Sequence, residues 1–284
     1  IVNASTVLHL NQTATEHAYY LVQSTPEEEA ADLIASRYRV SYKQALQDYS
    51  DFKETIDTLV TIPDLDPIAY LGFDRTRPYS GEITAPYRLD CALTYQLPPG
   101  NDPQLAPHTR ADRDLSLEEW KIILDKSWAA GIPHVIFTGG EPTLRDDLLE
   151  IILYSEQIGQ VPGLLTDGIR LDQPGYFDSL LQTGLDHMLI LLEPQQEHIW
   201  ESIKQSASSD IYTTVHLTLT PENQAETMGF IERLAELEVP SISLSESSED
   251  LDENLVAAQE YAANMDIALV WDTAVPYSQK NPFA

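Results

Sequence analysis

The chain has 284 residues, of which 43% are hydrophobic, enough for one large core or for a large and a small one. Its 46 acidic and 16 basic residues give a net charge of −30, which excludes nucleic acid as an expected partner and fits either plain solubility or a basic partner. A single cysteine, Cys91, excludes internal disulfides and a four-thiolate metal site. No apolar run of about 18 residues predicts a membrane span, and no signal segment is evident, so we expect a cytoplasmic protein. Because the chain opens on Ile1 and closes without a stop signal, we expect the natural chain to extend further.

The first 62 residues predict a small helical domain that begins with a short strand. Val7–Leu10 alternates as a strand does, and a helix follows it with Thr13 or Thr15 as the N-cap. The segment Ser24–Glu29 predicts a second helix, with proline in its first turn and glutamates near its positive end. Ser41 opens a third helix, which carries an apolar stripe.

Residues 63–85 are rich in proline and aspartate and predict a linker. Over residues 86–284, short apolar runs alternate with amphipathic stretches, which predicts parallel strands joined by helices. This α/β pattern fits a partial (β/α)6 barrel or a doubly wound sheet, with the site at the carboxyl ends of the strands. The predicted strands are 88–95, 133–138, 161–166, 186–192, 212–219, 241–245 and 267–271, and the predicted helices are 117–131, 146–158, 174–183, 196–206, 222–236 and 250–264.

The turn after the second strand carries the most information. Its two glycines, Gly139 and Gly140, let a ligand approach the backbone, and Glu141 offers a carboxylate to a cationic amino group. Pro142 then fixes the chain as it turns toward the next helix. The alternative is an ordinary strand-to-helix turn.

The segment Thr138–Arg145 resembles the radical SAM superfamily, in which this motif holds the amino group of S-adenosylmethionine. The first strand, the start of the first helix at Ser116 and the segment Gly163–Gly168 are similar to that family as well. The resemblance covers residues 86–284 and implies a partial (β/α)6 barrel. The residues that we expect to bind S-adenosylmethionine on this basis are Gly139, Gly140, Glu141, Pro142, Thr166, Asp167, Glu193 and Thr218.

One departure from that family concerns its cluster ligands. The family places Cys-x-x-x-Cys-x-x-Cys after the first strand, and the corresponding positions here are Leu97, Asn101 and Gln104. None of these is a thiolate, the ligand type that iron–sulfur clusters require. Cys91 lies before the strand end, and we interpret it as a core residue. We therefore expect neither a 4Fe–4S cluster nor the reductive cleavage that defines the family.

The histidines do not predict a metal site. His134, His187 and His216 lie in or at the edge of predicted strands, where a satisfied structural role is usual. His108 with Asp112 and Asp114 forms a conceivable cluster, but a solvated turn explains that loop more simply. The acidic run at 245–253 is interpreted as a solvated loop with an N-cap.

The N-terminal segment resembles the PqqD-like domain, over about residues 5–60, through Leu8–Ala14, the Pro-Glu-Glu-Glu helix start and a final amphipathic helix. That resemblance implies a small winged-helix-like fold that captures a precursor's leader peptide as an added strand. The alternative is a generic three-helix cap on the barrel. The expected domains are 1–62, peptide-binding; 63–85, linker; and 86–284, barrel.

These observations lead to a first hypothesis, a catalytically degenerate radical SAM homologue that serves as a peptide- or protein-binding adaptor or assembly subunit and is not an enzyme. A second is an enzyme: either a peptide-modifying radical SAM protein whose cluster ligands lie outside this stretch, or a non-radical protein that uses S-adenosylmethionine. A third is a structural subunit of a larger assembly.

Overall fold

A computed structural model describes residues 10, 12–62, 65, 70–71, 85–98 and 112–270. The chain divides into two compact units, Ile1–Ile83 and Thr84–Ala284. The strand predicted at Val7–Leu10 lies outside the described residues except for Leu10, and so does most of the predicted linker.

The described part of the first unit consists of three helices, α1 (Gln12–Val22), α2 (Glu27–Tyr38) and α3 (Tyr42–Thr61). Small residues allow α2 and α3 to pack closely, and the buried core is formed by Ala30, Ala31, Ile34, Ala45 and Tyr49.

Two helix starts in the first unit differ from the prediction, and one is confirmed. Ser41 caps α3, because its hydroxyl oxygen accepts a hydrogen bond from the Gln44 amide at 3.2 Å. Thr13 and Thr15 are not N-caps, because α1 already begins at Gln12. Pro26 is the N-cap residue of α2 and not part of its first turn, since its backbone is extended while its carbonyl accepts the first helical hydrogen bond, from Ala30.

The second unit is a parallel sheet of seven strands in the order β1 to β7, with helices between them. Its strands are β1 (Arg88–Thr94), β2 (His134–Gly139), β3 (Val161–Thr166), β4 (His187–Leu191), β5 (Tyr212–Leu219), β6 (Ser241–Glu246) and β7 (Ala268–Leu269). Its helices are α4 (Leu117–Ala129), α5 (Leu148–Gln157), α6 (Tyr176–Leu181), α7 (Glu197–Ala207), α8 (Thr227–Glu236) and α9 (Asp252–Asn264), and 3₁₀ turns span Pro142–Leu144 and Glu249–Leu251.

The order of the strands decides between the two architectures that the sequence left open. Each strand pairs in parallel with the next one along the chain. A doubly wound sheet reverses its strand order at a switch point, and this sheet does not. Within the described residues β1 and β7 do not pair, so the sheet is open, as expected for a partial barrel.

The two faces of the sheet have different surroundings. Successive side chains of a strand point to opposite faces, and one face, with Val135 and Phe137 of β2, packs against the helices. The opposite face, here called the inner face, carries Thr138 of β2 and a polar series on β5 and β6: Thr214, His216, Thr218, Ser241, Ser243 and Ser245. The inner face therefore presents polar groups near the carboxyl ends of these strands.

The helix predicted at 222–236 is shorter in the structure and begins at Thr227. The side chain of Asn223 accepts a hydrogen bond from the Thr220 amide at 2.8 Å and donates one to the Thr218 carbonyl at 2.9 Å. These bonds hold the preceding residues in a turn. Among the helices that the structure describes, none is both long and apolar enough to cross a membrane.

Candidate functional site

The turn after β2 packs directly against the backbone at the end of β1. The Gly140 amide donates to the Thr94 carbonyl at 2.8 Å, and the Glu141 amide donates to the Gln96 carbonyl at 2.7 Å. A Cβ atom on Gly139 would clash with the Thr94 carbonyl, and one on Gly140 would clash with the Gln96 carbonyl. In the structure the close approach that these glycines permit is that of the backbone at and just past the end of β1, and their expected contact with a ligand stays a prediction.

Glu141 binds neighbouring protein groups through both of its carboxylate oxygens, and only 2% of the residue is exposed. Oε1 accepts hydrogen bonds from the Thr143 amide at 2.9 Å, the Thr143 hydroxyl at 2.5 Å and the Thr166 hydroxyl at 2.7 Å. Oε2 accepts one from the Asp167 amide at 2.7 Å. The side chain therefore ties the end of β2 to the end of β3.

The environment of Glu141 also changes its acidity. Burial, followed by the negative charge of Asp167, raises the pKa of Glu141 to about 8, although the hydrogen bonds from Thr143 and Thr166 act in the opposite direction. Glu141 is therefore a buried acid that titrates near neutral pH.

Thr138, one residue before the glycines, is a polar side chain at the site that the list of expected ligands missed. It is 2% exposed, and its hydroxyl has no hydrogen-bond partner in the described part of the chain. Buried hydroxyls normally have a partner, so an orphaned one fits a polar group of a bound ligand. The sequence did contain a signal for Thr138. It is the polar residue at the end of an otherwise apolar strand segment, and it stands immediately before Gly139 and Gly140.

The remaining expected ligand residues lie at several points of the carboxyl edge. Thr166 and Asp167 adjoin Glu141, and the Asp167 carboxylate also accepts a hydrogen bond from the Ile169 amide at 2.9 Å. Glu193 follows β4, is exposed and accepts a hydrogen bond from the Gln196 side chain. Thr218 lies near the end of β5, 3.1 Å from the Ser245 hydroxyl. Among the described residues, no hydrogen bond joins Glu193 or Thr218 to Glu141.

His216 has the satisfied structural role that the sequence predicted. Its Nδ1 lies 2.9 Å from the Ser243 hydroxyl, and its Nε2 lies 3.2 Å from the Thr218 hydroxyl and 3.1 Å from that of Ser245. Burial lowers the pKa of His216 to about 4, so the ring is neutral at pH 7.

His187 differs from that expectation. Its Nδ1 has no hydrogen-bond partner within the described residues, and its ring lies 6.3 Å from the ring of His134. Burial, with the nearby His134, lowers the pKa of His187 to about 4. Space for the ring comes from Gly163, where a side chain would clash with it.

The described residues do not fit a three-thiolate iron–sulfur cluster. Cys91, the single cysteine, is 3% exposed and belongs to the core between sheet and helices, as predicted. Burial raises the pKa of its thiol to about 12, so it remains protonated at neutral pH. Leu97 is half-buried, while Asn101 and Gln104 lie outside the described residues.

The proposed acidic cluster after β1 is tested only in part. Asp114 accepts a hydrogen bond from the Thr94 hydroxyl at 2.6 Å, and Asp112 is exposed. His108 lies outside the described residues. Within the ranges that the structure does describe, no three histidine, cysteine or acidic side chains are grouped to hold a metal ion.

A cavity of about 660 Å³ lies away from this edge. Leu185 and Ile211, which precede β4 and β5, contribute to its lining, so it opens near the amino ends of the strands. The site that the sequence predicted is instead the carboxyl edge around Thr138 and Glu141.

Comparison with known proteins agrees with this fold. A family model, the radical SAM superfamily, matches residues 91–215. The PqqA peptide cyclase of Ruegeria pomeroyi is 28% identical over 170 residues, which are 55% of this chain and 45% of that protein. The PqqA peptide cyclase of Rhizobium meliloti is 33% identical over 85 residues, 30% of this chain and 22% of that protein. The chain thus spans less than half the length of these curated relatives.

Solved structures share the fold over a longer stretch. Streptococcus suis SuiB bound to precursor peptide SuiA has a TM-score of 0.58 and 12% identity, covering 94% of this chain and 67% of that one. SuiB bound to S-adenosylmethionine has a TM-score of 0.56 and 12% identity, covering 92% and 64%. At this identity the likeness concerns the fold alone. The radical SAM superfamily model thus matches the part of the chain that contains the turn at Gly139–Glu141, the strand order fits a partial barrel, and the sequence relatives of the chain include PqqA peptide cyclases.

Proposed function

We propose that this chain is a catalytically degenerate radical SAM homologue that binds a peptide or protein partner through residues 1–62 and retains a binding site for S-adenosylmethionine at the carboxyl edge of its sheet. In this role it acts as an adaptor or assembly subunit for a peptide. The observation that carries the proposal is the combination of a fully formed turn at Gly139–Glu141 with a single, buried cysteine.

The ligand site is supported by Thr138. Its hydroxyl is buried on the inner face and has no hydrogen-bond partner among the residues that the structure describes, and Thr138 directly precedes Gly139. S-Adenosylmethionine carries amino, carboxylate and hydroxyl groups that can pair with such a hydroxyl and with strand-end carbonyls. Glu141 fixes the turn from inside, so its contribution to binding is to shape the site and not to contact the ligand.

The peptide partner is supported by the relatives. SuiB, which shares the fold, was solved with a precursor peptide, and the relatives in sequence are cyclases of the PqqA peptide. The first unit has exposed apolar side chains that suit a protein contact, with Val22 and Val60 exposed by 78% and 76%.

Photo-crosslinking tests the partner half of the proposal on the full chain. The photoreactive residue p-benzoylphenylalanine replaces Val22 or Val60 in cells that express the chain. The control carries it at Val256 of α9, which is 53% exposed. We expect adducts with a short peptide at the first two positions and none at Val256. Absence of adducts, or equal adducts at all three positions, would remove the peptide-binding claim.

Calorimetric titration of the purified chain with S-adenosylmethionine tests the ligand half. Saturable heat at one site per chain supports a retained pocket. If the titration releases no heat, the turn at Gly139–Glu141 has a structural role only.

A second candidate is a peptide-modifying radical enzyme whose cluster ligands lie outside this stretch. It is favoured by the intact carboxyl-edge turn and by the fact that the match covers only 45% of the Ruegeria pomeroyi cyclase. Iron and sulfide bound to cysteines outside these 284 residues, in a natural chain that contains such cysteines, would support it.

A further inference from the structure

The segment between β1 and α4 has its two ends held together by one side chain. The guanidinium of Arg145 donates through Nη1 to the Leu93 carbonyl at 2.9 Å and through Nη2 to the Leu115 carbonyl at 2.9 Å. Leu93 lies near the end of β1, and Leu115 lies shortly before the start of α4. One cation therefore bridges the beginning and the end of this segment.

Arg145 is itself fixed on both sides. Its Nε and Nη2 donate to the two carboxylate oxygens of Asp147 at 2.9 and 2.8 Å, and the side chain is only 10% exposed. Its amide donates to the Pro142 carbonyl at 3.0 Å, which connects it to the turn after β2. Only the planar fork of arginine reaches a carboxylate and two carbonyls at once, because lysine offers a single charged centre.

A second bond joins the same two ends. The Thr94 hydroxyl donates to the Asp114 carboxylate at 2.6 Å; Thr94 directly follows Leu93, and Asp114 directly precedes Leu115. The Thr94 hydroxyl also accepts from the Gln96 amide at 3.1 Å. The two ends are therefore joined by adjacent hydrogen bonds that are all charge-assisted, through the guanidinium of Arg145 and the carboxylate of Asp114.

These ends are also the backbone on which the Gly139–Glu141 turn rests. The Gly140 and Glu141 amides bind the carbonyls of Thr94 and Gln96. Any movement of residues 93–96 would therefore displace the turn and, with it, the adjoining Thr138.

We propose that Arg145 is a positioning residue: with Asp147 it forms a clasp that sets the ends of the β1–α4 segment, and hence the platform beside Thr138, without iron. This segment occupies the position of the cysteine loop in the family that the sequence resembles. The clasp itself is independent of the proposed function, while its effect on ligand affinity rests on it.

Backbone hydrogen exchange on the full chain tests the clasp. Arg145→Lys retains the charge and loses the fork. We expect exchange at Gln96, Gly140 and Glu141 to accelerate about tenfold, because these amides lose the support of the clasp. Arg113→Lys is the matched control, since Arg113 makes a two-pronged bond to Glu119 in the same region but is 63% exposed, and its further hydrogen bond goes to the Asp114 carbonyl and not to that of Leu93 or Leu115.

Two further readouts separate positioning from general stability. Amides of β5 and β6 serve as internal references, and Asp147→Asn provides a second variant that retains Arg145; both variants must change exchange at the turn more than at the references. The affinity for S-adenosylmethionine is expected to fall about fivefold in Arg145→Lys and to stay unchanged in Arg113→Lys.

Three results would overturn the clasp: unchanged exchange at Gly140 and Glu141 in Arg145→Lys, equal acceleration in Arg113→Lys, or protection in the wild-type chain that appears only after iron and sulfide are added. If the wild-type chain does not bind S-adenosylmethionine, the proposed function fails in its ligand half, and the exchange data alone decide the clasp.

Discussion

The hydroxyl of Thr166, at the end of β3, lies 2.7 Å from the Glu141 carboxylate at the end of β2. This bond joins the ends of two adjacent strands through a residue that the sequence had assigned to a ligand. Together with the bond from the Asp167 amide, it makes Glu141 an internal tie of the carboxyl edge.

Replacement of Glu141 by glutamine tests its raised pKa. The carboxyl has a reference value of 4.5 and a folded-state pKa of about 8, so folding takes up a proton between these values. The stability that this group contributes is fully present below pH 4.5 and is lost as the pH rises toward about 8. We expect the free energy of unfolding, measured by urea titration, to fall more steeply with pH in the wild type than in Glu141→Gln. Parallel profiles would mean that the four hydrogen-bond donors keep Glu141 ionised throughout.

Gly140→Ala tests the close contact between β1 and the turn. The added methyl group would meet the backbone carbonyl of Gln96, which cannot rotate away. We expect a loss of about 1–3 kcal/mol in unfolding free energy. The control is Gly229→Ala in the first turn of helix α8, where a methyl group meets nothing within 4 Å, so we expect no loss and a gain of at most about 1 kcal/mol. A tolerated Gly140→Ala would show that the turn does not rest on β1.

The hydroxyl of Thr138 is expected to serve a ligand and not the fold. Thr138→Val removes a hydroxyl that has no partner within the described ranges, so we expect unchanged or slightly higher stability and an affinity for S-adenosylmethionine about five- to tenfold lower. Thr166→Val is the comparison, since its hydroxyl binds Glu141 and its loss should cost about 1–3 kcal/mol. Similar destabilisation by both variants would contradict the assignment of Thr138.

The neutral ring of His216 has a direct spectroscopic test. Its pKa is lowered from 6.5 to about 4, so the unfolded chain binds a proton that the folded chain rejects, and stability is lost as the pH falls from 6.5 toward 4. An NMR titration, with the His216 signal assigned from its absence in His216→Asn, should give a midpoint near 4. A midpoint at or above 6.5 would indicate that the hydroxyls of Ser243, Thr218 and Ser245 accept from a charged ring.

The elements of the second unit were largely predictable because each carries a strong local signal. Ser116 was expected to open α4, and the structure confirms it with a capping box in which Ser116 and Glu119 bind each other's backbone amides. Cys91 was expected in the core from its alternation with Leu89 and Leu93, and it is buried there. Such features depend on neighbours in sequence.

The features that escaped prediction depend on contacts between distant segments. Two of the four hydrogen bonds that Glu141 accepts come from Thr166 and Asp167, 25 and 26 positions away, and Arg145 binds carbonyls 52 and 30 positions away. No local pattern shows whether a carboxylate after Gly-Gly faces a ligand or a neighbouring strand. The Nδ1 atom of His187, which has no hydrogen-bond partner in the described part of the chain, was missed for the same reason.

Iron and sulfide content after anaerobic reconstitution tests the central claim most directly, because a chain whose one cysteine is buried and protonated cannot hold a three-thiolate cluster. The measurement compares the wild-type chain with Cys91→Ala, which removes the last thiol. We expect background iron and sulfide in both. About four irons and four sulfides per chain in the wild type, the content of a 4Fe–4S cluster, would contradict the account and identify a working radical enzyme.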